Sequence, residues 1–298
     1  DHWLGYLNQD KAANYFPDAL WQNQERLKLP GNAGGKQQQY SHDLFTEFAL
    51  NFIQQHKSEP FFLYIAYTIP HVDHQVPDLA PYAAQTWPGK AREYAAMITR
   101  MDTDVGRIAT LVDKLRLEHN TLILFCSDNG GPAPFQEVFQ SNDPLRGHKG
   151  QLYEGGLRIP MLARWPGHIP SGRISASPWY LADIFPTLTE LTGCPTRAKL
   201  DGLSVLPTLL GKDQQRSDRF LYWEQTSSGF RQAVRWKNWK AIRAGLHGPV
   251  ELYDLAQDPA ESKNVANLQP SVVQIIETYL ETARITSDEW PVSDSTKR

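Results

Sequence analysis

The stretch TLILFCSDNGG, residues 121–131, opens as an apolar run and ends in Ser127-Asp128-Asn129-Gly130-Gly131. An apolar run of this length, bounded by turn residues, reads as a buried strand over 121–127. In open α/β sheets, ligands sit beyond the carboxyl ends of the strands. Asp128 and Asn129 occupy that position. One offers a charged oxygen and the other a neutral one, a pair suited to a hard divalent cation such as calcium or magnesium and not to zinc. Gly130 and Gly131 free the backbone to turn sharply and let a ligand come close. An Asp-Asn-Gly turn that only caps the strand accounts for the same residues, so the neighbouring segments must decide.

Upstream, SHDLFTEFALNFIQQH (41–56) places Leu44, Phe45, Phe48, Ala49, Phe52 and Ile53 on one helical face, with Ser41 as its N-cap. PFFLYIAY (60–67) is a continuous apolar run and reads as a second buried strand. A long helix follows over roughly 90–117, with Tyr94, Ile98, Met101, Val105, Ile108, Val112 and Leu115 at helical steps. Downstream, a glycine-rich loop runs to about 157. RIPMLARWPG then supplies a short strand, and YLADIFPTLTELTG a helix that stops near Gly193. Strand and helix alternate, which is the signature of an α/β layer with a largely parallel sheet. After Gly211 the texture changes. QQRSD is linker-like, RFLYWEQ, RQAVRWKNWKAIRA and VELYDL are strand-like, RWKNWK resembles a tight hairpin, and a last helix covers about 270–285. The expected organisation is an α/β domain over 1–212 and a small antiparallel sheet plus helix over 213–298.

Composition narrows the function. The 298 residues are 41% apolar and 21% charged, with a net charge of −3, which gives no basis for binding nucleic acid or an anionic membrane. No run reaches the ~18–20 apolar residues of a membrane span. Two cysteines, Cys126 and Cys194, form neither a disulfide framework nor a zinc site, and Cys126 reads as a small buried side chain. Residue 1 is Asp, and DHWLGYLNQDKAANYFPDALW reads like the middle of a domain. The expectation is a chain that starts partway through a longer protein.

Two further loops bear on the cation-binding reading. His71 follows the run 60–67, and Lys149 sits in LRGHKGQLYEGG (145–156) among Gly147, Gly150, Gly155 and Gly156. An acid–amide pair, a histidine and a lysine leaving one side of a sheet suit an anionic ester. A metal and a lysine neutralise non-bridging oxygens, and a histidine can protonate a leaving oxygen near neutral pH. Taken singly, the histidine reads as an ordinary loop residue and the lysine as a solvated charge.

At these residues the chain resembles the type I sulfatases of the alkaline-phosphatase-like superfamily. The resemblance runs in order through PFFLYIAYTIPH, YAAMITRMDTDVGRI, TLILFCSDNGG, LRGHKGQLYEGGLRIPMLARWPG, LADIFPTLTELTG, LDGLSVLPTLLG and ELYDLAQDPAESKNVA. It implies an alkaline-phosphatase-like fold, with a largely parallel sheet sandwiched by helices, and hydrolysis of sulfate esters. A formylglycine, made from Cys or Ser in a C/S-x-P-x-R motif, is the family's nucleophile, and calcium, or magnesium in some members, its metal. Carried over by position, Asp128 and Asn129 become metal ligands, His71 a sulfate contact that assists the leaving group, and Lys149 a ligand to a sulfate oxygen. Glu154 and Arg158 hold loop shape, while His74 and His148 are candidate substrate contacts. The implied partner is a sulfate-ester small molecule or a sulfated glycan, in a periplasmic, secreted or lysosomal-type compartment.

The nucleophile motif is absent. In GCPTR (193–197) Cys194 directly precedes the proline, one place too late, and NDPLR (142–146) has no Cys or Ser in register. The expectation is that formylglycine and further metal ligands lie upstream of residue 1, and that this chain alone is inactive and binds metal weakly. Calcium takes about 6–8 oxygens, and Asp128 and Asn129 supply at most three. Two other readings stay open: a phosphoryl hydrolase of the same superfamily, and a non-catalytic scaffold.

Overall fold

A computed structural model describes residues 1–194, 196–212, 214, 218–226 and 229–292. The chain divides into two units, residues 1–123 and 124–298. Most of the linker QQRSD lies outside the described residues, as do Asp213 at the expected domain boundary and Pro195 of the rejected GCPTR motif.

The first unit opens with an antiparallel sheet that periodicity did not reveal. It comprises β1 (Leu4–Gly5), β2 (Ala19–Gln22) and β3 (Glu25–Lys28), with a short helix α1 (Gln9–Ala12) between the first two strands. Asn23, at φ 53°, turns the chain between β2 and β3. Helix α2 (Ser41–Gln55) forms as expected, but Ser41 is its first residue, with Tyr40 at the cap position. Ser41 is fully buried and its N–H donates to the Tyr15 carbonyl at 2.9 Å. The buried seam of α2 is also not the expected aromatic one. It runs His42, Thr46, Ala49, Ile53, while Leu44, Phe45, Phe48 and Phe52 stay half-buried. The reason is polar: His42 Nε2 meets Asp104 Oδ2 at 2.9 Å and Thr46 Oγ1 donates to the same oxygen at 3.1 Å. Asp104 belongs to α3 (Ala91–Lys114), which buries Tyr94, Met97 and Val112 and leaves Ile98 exposed, against the expected face.

The run 60–67 is the clearest departure. It has no strand partner among the described residues, and its burial alternates, with Phe62 74% and Tyr64 78% exposed. Apolar content alone cannot make a buried strand. A ladder partner on each side is also needed, and here the segment is extended with one open face.

Strand β4 (Ile123–Cys126) forms within the opening stretch, shorter than expected and half-buried along its length rather than buried, and pairs with β5 (Met161–Arg164). Between them lie the one-turn helices α4 (Gln136–Phe139) and α5 (Glu154–Leu157). Helix α6 (Ile184–Thr192) ends as expected at Gly193, left-handed at φ 65°, and a short α7 (Leu206–Leu209) follows. The C-terminal sheet is as read from the sequence: an antiparallel meander of β6 (Phe220–Gln225), β7 (Arg231–Trp236), β8 (Trp239–Ala244) and β9 (Val250–Asp254), then α8 (Pro270–Leu280). Trp236 pairs with Trp239, so Lys237 and Asn238 make the tight turn, with Lys237 at φ 54°.

Period-two alternation gives this sheet two different faces. The row Val234–Ala241–Leu252 packs with Ile276 and Leu280 of α8 in an apolar cluster. Burying each large side chain there contributes about 1.5–3 kcal/mol. The other face carries Ala233, Ile242 and Trp223, which pack against Leu152, Tyr153 and Leu157 of the glycine-rich loop. The sheet thus supports the loop that carries Lys149. No described helix is long and apolar enough to cross a membrane.

Candidate functional site

The loops after β4 and before β5 are joined backbone to backbone. The Gly130 N–H donates to the Gly156 carbonyl at 3.0 Å, and the Lys149 N–H to the Gly131 carbonyl at 3.0 Å. Glycine is required for this approach, because a Cβ on Gly130 would stand 1.8 Å from the Gly155 carbonyl oxygen. Buried Asn142 closes the junction. Its Nδ2 donates to the carbonyls of Gly131 (3.1 Å) and Gly147 (3.0 Å), and its Oδ1 accepts from the Gly131 N–H at 2.9 Å. The turn at Asp128–Asn129 and the tip at Lys149 therefore form one structural piece.

Asp128 and Lys149 are both exposed, and neither side chain makes a hydrogen bond or ion pair among the described residues. Asn129 Nδ2 donates to the Gly130 carbonyl at 3.1 Å, which turns the amide group so that Oδ1 is the atom left for a ligand. The Asp128 charge also acts on the strand behind it. Burial first, and then Asp128, raise the Cys126 thiol pKa, so Cys126 stays a neutral, half-buried side chain. The oxygen-only chemistry of Asp128 and Asn129 fits a hard divalent ion. Three oxygens at most do not complete such a shell, and among the described residues no three His, Cys, Asp or Glu side chains group to hold a metal.

The loop is fixed from below by buried charge. Glu154 Oε1 accepts from Lys240 Nζ at 2.9 Å and Oε2 from Arg235 at 3.3 Å, while the Glu154 N–H donates to Glu261 Oε2 at 2.7 Å. Lys240 and Glu261 are fully buried and 3.6 Å apart. Burial alone would raise the Glu154 pKa, but Lys240, Arg235 and Arg158 overcome it and hold the carboxyl below its usual range. Glu261 goes the other way: burial outweighs Lys240 and raises it. Arg146 lies over the Tyr153 ring at 3.8 Å and donates to Tyr253 Oη and to the Glu261 carbonyl. Glu154 is thus a structural anchor. Lys240, Arg235, Glu261 and Asn142 could not be picked out in advance, since nothing local in sequence marks a lysine in a strand as fully buried.

His148 is half-buried beside Lys149. Its Nδ1 lies 2.9 Å from the Lys149 carbonyl, which can only accept, so Nδ1 carries the proton and Nε2 is the ring nitrogen left without a hydrogen bond among the described residues. His71, in the first unit, repeats the device with Nδ1 3.0 Å from the Val72 carbonyl. Its loop is held by the fully buried Tyr15, whose hydroxyl lies 3.0 Å from the Thr68 carbonyl and 2.9 Å from that of His71. His74 instead meets the Tyr94 ring edge-on at 5.5 Å, and burial, then His71, lower its pKa. A cavity of about 290 Å³ beside α3 is lined by Arg100, Arg107 and Asp104. Its guanidinium groups are already paired with Asp43, Glu47 and Asp104.

Known proteins resemble this chain over most of its length. A family model described as Sulfatase matches residues 2–194, and one described as N-sulphoglucosamine sulphohydrolase, C-terminal, matches 148–286. Human steryl-sulfatase is 29% identical over 94% of this chain and 52% of its own length. An N-acetylgalactosamine-6-O-sulfatase of Bacteroides thetaiotaomicron is 32% identical over 81% of this chain and 50% of its own. The crystal structure of Ps i-CgsB in complex with k-i-k-neocarrahexaose superposes with a TM-score of 0.76 at 29% identity, covering 88% of this chain and 58% of that one. The chain spans about half the length of these relatives. With the first family model covering well over half of the residues, and the joined Asp-Asn-Gly-Gly and Gly-His-Lys-Gly loops lying within it, the chain belongs to the sulfatase family.

Proposed function

We propose that this chain is the part of a sulfuric ester hydrolase that grips the sulfate group and assists the leaving oxygen. The observation that carries the reading is the joined pair of loops, which holds a carboxylate and an ammonium, both unpaired among the described residues, and an amide oxygen on one hydrogen-bonded piece. Asp128 and Asn129 would hold a divalent metal, calcium in this proposal and magnesium as the alternative. That ion supplies positive charge to the non-bridging oxygens when bound. Lys149 Nζ neutralises a further sulfate oxygen. His71, with its Nδ1–H given to the Val72 carbonyl, would act as the imidazolium, which carries a second proton on Nε2 for the departing alkoxide or phenoxide. The proton moves from Nε2 to that oxygen as the sulfur–oxygen bond breaks. The nucleophile expected from the family is formylglycine, on a segment outside this sequence.

Several larger-scale features belong to the same proposal. The catalytic α/β domain spans 1–212 and the smaller subdomain 213–298. Strands β4 and β5 take part in a largely parallel, helix-flanked sheet. The substrate is a sulfate ester of a small alcohol or of a glycan. The names of the relatives above support both classes, a steroid ester and an amino-sugar 6-sulfate.

Sulfate release, followed by ion chromatography on the whole protein that contains this chain, tests the reading. Aryl sulfates and the matching aryl phosphates are compared, with and without chelator. Sulfate release that falls at least about 100-fold in Lys149→Ala and His71→Ala is expected. Phosphate release that exceeds sulfate release, or either variant retaining full rate, would overturn it.

A further inference from the structure

We infer that Arg231 and Lys149 bracket a second anion subsite, which favours sulfate esters carrying another negative group near the reacting sulfate. The inference rests on the assignment of Lys149 to a sulfate oxygen. Its structural basis is the register of the C-terminal sheet. Gln225 Nε2 donates to the carbonyl of Gly150, the residue after Lys149. Gln225 pairs directly with Arg231 across the β6–β7 ladder. Directly opposed residues share a face, with Cβ atoms about 5 Å apart. The same face continues along β7 from Arg231 to Ala233, which packs with Leu152, and to Arg235, which reaches Glu154. All three residues thus stand over the glycine-rich loop, and Arg231 is the one at its Lys149 end.

The charges of this region are unevenly satisfied. Arg231 is exposed, and its side chain makes no hydrogen bond or ion pair among the described residues; Lys149 is in the same condition. The neighbouring acids are already engaged. Glu224, on the opposite face of β6, pairs with Arg284 at 3.1 Å, and Glu251 accepts from Tyr153 and Tyr253. His148 stands beside Lys149 with Nδ1 committed to the Lys149 carbonyl and Nε2 available. Among the described residues, two unpaired cations and an imidazole thus lie around one loop tip, with no unpaired acid on that face of β6 and β7. A guanidinium fork matches the paired oxygens of a carboxylate or a sulfate. The ligand class is a sulfated sugar bearing either group in addition to the reacting ester.

Calorimetric titration of the whole protein that contains this chain, at low ionic strength, tests this with non-hydrolysable analogues of three ligands: an aryl monosulfate, a disulfated disaccharide and a monosulfated disaccharide with a uronic carboxylate. Arg231→Gln is expected to weaken the preferred dianionic sugar about tenfold and to leave the aryl monosulfate within about twofold. Arg231→Lys should recover part of the loss. Lys149→Ala should weaken all three ligands. The two sugars distinguish a second sulfate from a carboxylate as the recognised group. Unchanged affinity of Arg231→Gln for both sugars, with monosulfate binding still dependent on Lys149, overturns the subsite and leaves the proposed function standing. Monosulfate binding that is absent, or indifferent to Lys149→Ala, overturns both. Equal loss of all three ligands in Arg231→Gln and Arg231→Lys also overturns the subsite, since that is a defect of the fold.

Discussion

Replacing Lys240 with Met tests the claim that buried charge fixes the glycine-rich loop. Lys240 is fully buried and its ammonium lies 2.9 Å from Glu154 and 3.6 Å from Glu261, both buried. Met preserves the stem and removes the charge. Glu154 keeps only the 3.3 Å contact with Arg235, and Glu261 keeps the Glu154 N–H on one oxygen while the other already has no hydrogen bond. Removing one partner of a buried pair costs about 3–5 kcal/mol, mostly because the remaining charge stays buried without compensation. With a urea dependence of about 2–3 kcal/mol/M, the unfolding midpoint should fall by roughly 1–2 M. The pH dependence follows from the direction of the shifts. Glu154 is held below its usual pKa, so its contribution is complete above the ordinary glutamate range and is lost as pH falls through the depressed folded value. In Lys240→Met that contribution shrinks, and both carboxyls take up protons more readily. The deficit should therefore be largest near pH 7 and narrow toward pH 4. Urea unfolding monitored by tryptophan fluorescence at both pH values measures it. A midpoint within about 0.3 M of the parent at pH 7, or a deficit that does not change with pH, would refute the reasoning. Lys240→Met combined with Glu154→Gln should recover part of the loss.

Other substitutions probe the remaining joints. Gly130→Ala places a carbon 1.8 Å from the Gly155 carbonyl oxygen, so the loops must part; a loss of about 3 kcal/mol or more in chemical unfolding is expected. Asn142→Ala removes three hydrogen bonds to Gly131 and Gly147 and should cost about 2–4 kcal/mol, with faster amide exchange at Gly130 and Lys149. Asp183→Asn weakens a buried pair in which Arg219 donates at 2.8 and 2.7 Å, and should lower the urea midpoint by an amount equivalent to about 3 kcal/mol. His42 and His74 are both lowered, chiefly by burial, so the unfolded chain binds more protons below the ordinary histidine pKa of about 6.5. Stability should fall as pH drops from 7.5 to 5, and His42→Asn should flatten that profile in urea titrations.

How much of this was legible beforehand depended on whether the signal was local. The α2, α3, α6 and α8 helices and the four C-terminal strands repeat within a few residues, and they stand where periodicity placed them. The glycines that flank Asp128, Asn129 and Lys149 were visible in the sequence, and they are what lets the structure join those two loops. What failed depends on partners distant in sequence. The α2 seam turned toward His42 because Asp104, 62 residues away, receives it. Phe62 and Tyr64 read as core, but a strand needs a ladder as well as apolar side chains. Nothing local in the sequence marks Lys240 as buried; only the arrival of Glu154 and Glu261 beside it makes it a buried cation.

The central proposal is that four side chains act on one sulfate group, and a crystal structure of the whole protein with calcium and a non-hydrolysable sulfate ester tests it most directly. The account predicts Asp128 and Asn129 oxygens at about 2.3–2.6 Å from the metal, with Lys149 Nζ and His71 Nε2 within hydrogen-bond distance of the same sulfate's oxygens. A sulfate bound with Lys149 or His71 turned to a different region, or a metal held without Asp128 and Asn129, would contradict it.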